Sequence, residues 1–91
     1  MIYTVVTTKH FERSVRKCHK RGFDLSLLNE VIDLLKIEGK LPPQYNPHKL
    51  SGRFCNAWEC HIKPNWLLVW QQNDTELTLL LLDTGTHADI F

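Results

Sequence analysis

Three observations predict an α+β domain: a strand, an antiparallel helical hairpin, then three to four antiparallel strands forming one curled sheet. A β-branched run opens the chain. Two segments with helical apolar spacing follow, punctuated by Gly22 and Gly39. Three strand-sized apolar or alternating segments then fill residues 54–82. At 91 residues the chain is one domain, 1–91, with enough length for a single core.

Ile2–Thr7 is rich in Val and Thr with one Tyr, which reads as a strand. Thr7 and Thr8 can cap a helix in which Phe11, Val15 and Cys18 form a narrow apolar stripe. Gly22 ends it, and Asp24 or Ser26 caps a second helix whose apolar side carries Leu25, Leu28, Ile32 and Leu35. Gly39 terminates that helix and Pro42-Pro43 prevents its continuation. So short a connection makes the two helices an antiparallel hairpin. Residues 40–53 read as a loop, long for so small a domain, and long loops often carry function. Phe54–Ile62 alternates, with Phe54, Trp58, Cys60 and Ile62 on one side and Cys55, Ala57, Glu59 and His61 on the other. Trp66–Gln71 and Leu77–Leu82 are nearly all apolar, the pattern of strands covered on both faces. Pro64-Asn65 and Asn73-Asp74 supply the turns, and Thr84–Phe91 is a tail.

A composition of 43% hydrophobic and 23% charged residues excludes wholesale disorder. No apolar run approaches the ~18 residues of a membrane span. Three cysteines are an odd number, which argues against a disulfide framework. The first ten residues lack the features of a signal peptide, so a reduced cytoplasmic protein is expected. The net charge of +1 conceals a polarised chain. Residues 1–23 hold Lys9, Arg13, Arg16, Lys17, Lys20 and Arg21 against Glu12 alone, whereas residues 67–91 hold four acids and no Lys or Arg. The basic helix is either a phosphate-docking patch or a solvated face.

Five histidines are many for this length. His10 and His19 read as exposed residues of the basic helix, whereas His48, His61 and His87 fall in the long loop, on a strand and in the tail. Glu59 and His61, two apart on one strand face, either reach a common ligand or form an exposed polar face. Cys55 and Cys60 point to opposite faces, and no C-x-x-C or H-x-x-x-H spacing occurs, so no metal and no cofactor is expected. Cys60 and His61 diverge as strand neighbours, which removes a Cys–His nucleophile pair. Histidines, a carboxylate and cations are the equipment for cleaving RNA without metal. One group takes the proton of the 2′-hydroxyl, another protonates the leaving 5′ oxygen, and a cation stabilises the phosphorane. Trp66 and Phe91 can stack on bases, or they pack in the core and as a lid.

Three stretches carry a resemblance to a known family: His48-Lys49-Leu50-Ser51-Gly52, Glu59–Trp70, and Thr84-Gly85-Thr86-His87-Ala88-Asp89-Ile90-Phe91. In this order and spacing the chain resembles the RelE/ParE superfamily of toxins, and most of all its YafQ-like members, over nearly its whole length. The resemblance implies a RelE-like microbial RNase fold and a ribosome-dependent endoribonuclease, an mRNA interferase, of a type II toxin–antitoxin module. It implies catalytic roles for His48, His61, His87 and Glu59, the last standing where relatives usually carry Asp, and RNA contacts for Trp66 and Phe91. Lys49, Arg53 and Lys63, with Arg13, Arg16, Lys17, Lys20 and Arg21 of the basic helix, are the expected RNA-binding cations.

Asn65 is the main departure, because the pattern commonly has Asp there and an amide cannot accept the proton. Either a histidine takes the base role, or activity is reduced, or the position carries an inactivating replacement. The implied partners are a cognate antitoxin, grouped around an antitoxin dimer, the ribosome and its mRNA, with operator DNA reached only through the antitoxin and no membrane. The competing reading is a ParE-like toxin that inhibits DNA gyrase by binding alone. The three histidines favour the nuclease, since a pure binder has no need of convergent imidazoles.

Overall fold

The structure, a computed structural model, describes residues 2–52 and 56–91. Along the chain lie β1 (Thr4–Thr7), α1 (Lys9–Lys20), α2 (Leu25–Glu38), a 3-10 turn (Pro43–Tyr45), β2 (His48–Lys49), β3 (Trp58–Lys63), β4 (Trp66–Asn73), β5 (Thr78–Gly85) and α3 (His87–Ile90). The five strands form one sheet in the order β1-β5-β4-β3-β2. Pairing is antiparallel from β2 to β5, while β1 lies parallel to β5.

Local chemistry sets the helix ends as expected. The Thr8 hydroxyl accepts from the Phe11 amide, and the Asp24 carboxylate accepts from the Ser26 amide, each at 3.0 Å. Gly39 closes α2 at φ +68°, and a Cβ there would lie 2.6 Å from the Tyr3 hydroxyl. A glycine is therefore needed both for the left-handed cap and for the approach of β1.

The helical hairpin covers one face of the sheet. Phe11, Leu28, Val31 and Leu35 pack there on Cys60, Trp66, Leu68, Trp70, Leu79 and Leu81, all buried. Each fully buried leucine in this layer contributes about 1.5–3 kcal/mol by leaving water. The opposite face is thinner. Ala57, Leu67 and Val69 are covered there by Ile90 of α3, with Leu50 and Leu82 alongside. This second face, away from the hairpin, is where Glu59 and His61 point.

Several expectations shift. The long loop contains the 3-10 turn and β2, which is paired only because His48 lies opposite Glu59 and Lys49 opposite Trp58. The strand expected over Phe54–Ile62 runs over Trp58–Lys63, and Arg53, Phe54 and Cys55 lie outside the described residues. The last strand extends past Leu82 to Gly85, because Asp83, Thr84 and Gly85 pair with Val69, Leu68 and Leu67. Beyond Gly85 the tail holds a short helix, α3. Among the described residues no helix is long and apolar enough to cross a membrane.

Candidate active site

Sheet register assembles the first part of the site. β2 places His48 directly across from Glu59, and the two-residue period of β3 puts His61 beside it. His48 Nε2 lies 3.2 Å from Glu59 Oε1, and His61 Nε2 lies 3.9 Å from the same oxygen. Only 4% of the Glu59 side chain is exposed, and its Oε2 has no hydrogen-bond partner among the described residues. A buried carboxylate with a free lone pair is costly unless cations or donors surround it. Here the His48 imidazole lies within hydrogen-bond reach of Oε1, and the His61 imidazole stands just beyond it.

The outer nitrogens fix the rings. His48 Nδ1 sits 2.8 Å from the Asn46 carbonyl, and His61 Nδ1 sits 3.3 Å from the Pro64 carbonyl. A carbonyl only accepts, so both Nδ1 atoms carry hydrogen and donate. The contact between His48 Nε2 and Glu59 Oε1 then needs one more proton, on either partner. His61 Nε2, at 3.9 Å, lies beyond hydrogen-bond reach of Glu59. His87 comes from the other end of the sheet, at the start of α3. Its ring centroid lies 6.1 Å from that of His61 and 5.8 Å from that of Phe91, and His48 and His61 are 6.3 Å apart. Four rings thus form a contiguous row along one face, each within contact distance of the next. A cavity of about 490 Å³, bounded by Phe23, Lys63, Asn65 and Trp66, holds none of the histidines. A smaller one of about 280 Å³ borders His61, with Gln44, Asn46 and Lys63. An exposed face suits a polymer better than a small molecule.

A family model described as the bacterial toxin YafQ of type II toxin–antitoxin systems matches residues 3–91. The chain belongs to the YafQ toxin family. It is 30% identical over 82 residues to the mRNA interferase toxin YafQ of Escherichia coli K12, covering 89% of this chain and 87% of that one. A metal-bound toxin from Helicobacter pylori superposes with a TM-score of 0.88 at 41% identity, covering 100% of both chains. The E. coli DinJ–YafQ toxin–antitoxin complex gives 0.89 at 27% identity, covering 100% of this chain and 99% of the YafQ chain. The fold is therefore RelE-like, as the element order predicted, and the chain is a toxin of this family.

The remaining residues expected at a YafQ-family site divide into two groups. Lys63 is exposed and borders the same cavity as His61, whereas Lys49, paired opposite Trp58, is exposed with its Nζ 5.6 Å from the centre of the Trp58 ring, on the other face of the sheet from Glu59. Asn65 is exposed in the β3–β4 turn. Phe91 is 57% exposed next to His87. Arg13, Arg16, Lys17 and Lys20 are exposed on α1. Trp66 departs from the role of an RNA contact, and Arg21 is engaged within the fold. Trp66 is 3% exposed on the hairpin face, edge-on to Phe23 at 5.0 Å, and its indole N–H donates to Thr84 Oγ1 at 2.9 Å. It packs in the core because β4 alternation turns it toward the helices. Arg21 is engaged by Asp89, in a bidentate pair at 2.6 and 2.8 Å. Arg53 lies outside the described residues.

Two features were missed. His10 is exposed as expected, yet its Nε2 lies 3.0 Å from the buried Asp83, whose other oxygen accepts from Ser14 Oγ at 2.6 Å. That pairing spans more than sixty residues and has no local signal. The tail helix has one: Thr86 and Asp89 form a capping box, legible as T-x-x-D. Burial pushes the Cys60 thiol up to about 12, so at neutral pH it is neither nucleophile nor thiolate ligand.

Proposed function

We propose that this chain is a ribosome-dependent endoribonuclease that cleaves translated mRNA by acid–base catalysis without a metal. The observation that carries the reading is the convergence of His48, His61 and His87 on one open face around buried Glu59. His61 Nε2 accepts the proton of the 2′-hydroxyl as that oxygen attacks the adjacent phosphorus. Lys63, which borders the same cavity as His61, stabilises the charge gathered on the phosphorane oxygens. As the bond to the 5′ oxygen breaks, His87 donates the proton that this oxygen needs, leaving a 2′,3′-cyclic phosphate and a 5′-hydroxyl. Glu59 holds His48 in place, and His48 supplies a second cationic donor to the phosphate.

Asn65 donates through its amide and takes no proton, so the base role rests on His61. The activity carried in the relative's name, mRNA interferase, agrees with this chemistry. A site this open does little to pre-position a flexible strand, and positioning is a large part of catalysis. The ribosome supplies it by presenting the codon, and the exposed cations of α1 dock on ribosomal RNA. The DinJ–YafQ complex supports an antitoxin as second partner, one that also carries the toxin to operator DNA. The site of action is the cytoplasm.

The test is primer extension in cells on two transcripts, one with its start codon and one without. Cuts confined to the translated transcript are expected. Equal cutting of both overturns ribosome dependence, and gyrase-linked DNA lesions with intact mRNA overturn the nuclease.

A further inference from the structure

His87 is the least secured member of the site. Its imidazole has ring neighbours but no hydrogen-bond partner among the described residues, unlike the anchored rings of His48 and His61. Its position is therefore set by the backbone of α3, a helix of four residues. A single turn does not hold itself together in water. Something outside it must.

Asp89 is placed to do this. One carboxylate oxygen accepts from Arg21 Nη2 at 2.8 Å. The other accepts from Arg21 Nη1 at 2.6 Å and from the Thr86 amide at 2.8 Å. The Thr86 hydroxyl in turn accepts from the Asp89 amide at 3.3 Å. Gly85, at φ +152°, admits this approach, since a Cβ there would lie 2.8 Å from Asp89 Oδ2. Arg21 is itself braced, its guanidinium lying 5.9 Å from the centre of the Phe23 ring, and Phe23 abuts Trp66. A fork-to-carboxylate pair fixes orientation as well as distance.

We infer that Arg21 and Asp89 form a latch between the end of α1 and the C-terminal turn, and that they act as positioning residues for His87 in cleavage. This rests on the nuclease reading above and reassigns Arg21 from RNA contact to positioning. The Arg21 hydrogen bonds hold the Asp89 carboxyl well below the usual carboxylate range, so the latch stays charged throughout neutral pH.

The test uses Arg21→Ala, Arg21→Lys and Asp89→Asn in the full chain, with melts to confirm folding. Asp89→Asn keeps an oxygen for the Thr86 amide while removing the charge, and Arg21→Lys keeps the charge while removing the fork. Three quantities are read: single-turnover cleavage on programmed ribosomes, ribosome affinity by sedimentation, and amide hydrogen exchange over residues 86–91. The latch predicts a rate loss of roughly 10–100-fold, the scale of a misplaced catalytic group. It also predicts unchanged affinity, faster exchange confined to the tail, and a double variant no slower than the singles. A loss of affinity with a shallower salt dependence would make Arg21 a phosphate contact and overturn the latch, as would parental rates or unchanged exchange. If the parent chain itself does not cleave, the nuclease reading fails, and hydrogen exchange alone then decides whether the latch exists.

Discussion

Replacing His87 with glutamine separates chemistry from stability more cleanly than any other change. The side chain is exposed, has no hydrogen bond among the described residues, and opens a helix in which glutamine is at least as comfortable as histidine. Such substitutions change stability by no more than about 0.5 kcal/mol. In a domain of this size that shifts the melting temperature by at most about 2–4 °C. Glutamine keeps the length and polarity but cannot hand over a proton. Loss of a general acid costs roughly 10²–10⁴-fold in rate, or about 2.7–5.4 kcal/mol in the barrier. The two effects thus differ by a factor of five or more in energy, on the order of what kinetics and melts resolve together. The assay is single-turnover cleavage on programmed ribosomes beside thermal melts of the same preparations. A variant that unfolds would make His87 structural. A variant that cleaves at the parental rate would place the proton donor elsewhere.

Three further outcomes are expected. Asn65→Asp introduces a carboxylate at an exposed turn, and should raise the single-turnover rate if a proton acceptor is lacking there; an unchanged rate agrees with a base elsewhere, in this account His61. Neutralising Arg13, Arg16 and Lys17 should weaken ribosome binding and flatten its salt dependence by up to about 0.9 in log–log slope per lost phosphate contact; an unaltered slope returns α1 to a solvated face. The third outcome is acid loosening of the tail. The carboxyl of Asp89, lowered by its hydrogen bonds from Arg21, is a depressed acid. Its stabilisation is therefore complete above the unfolded value near ~3.9 and is lost as pH falls toward the folded value. Hydrogen exchange over residues 86–91 should accelerate below about pH 4 before β5 does, and simultaneous acceleration would argue against a separately held tail.

What could be read in the sequence follows from how local each signal is. The helical hairpin was legible because its caps, Thr8, Asp24 and Gly39, lie within a few residues of the groups they satisfy. The facing of Glu59 and His61 was legible because strand period is a property of β3 alone. The parallel pairing of β1 with β5 was not, since a strand has the same side-chain period in either pairing. β2 escaped notice because two residues in a Pro-rich loop pair only where Glu59 and Trp58 offer an edge. Trp66 was left open between core and base stacking, because position in a turn-flanked strand does not say which face carries helices. Arg21 looked like one more cation of a basic helix, and only the return of the tail from residue 85 onward brings Asp89 against it.

The central claim is that three histidines on one face drive attack by the 2′-hydroxyl of ribosome-held mRNA. The most direct measurement uses purified protein and ribosomes programmed with an mRNA carrying one 2′-deoxynucleotide at the scissile position. The metal-bound relative makes an EDTA arm informative. The account predicts that the all-ribose message is cut, with or without EDTA, to a 2′,3′-cyclic phosphate and a 5′-hydroxyl, and that the deoxy message is not cut at that bond. Cleavage of the deoxy message at the same bond, or a 5′-phosphate product that requires metal, would contradict it.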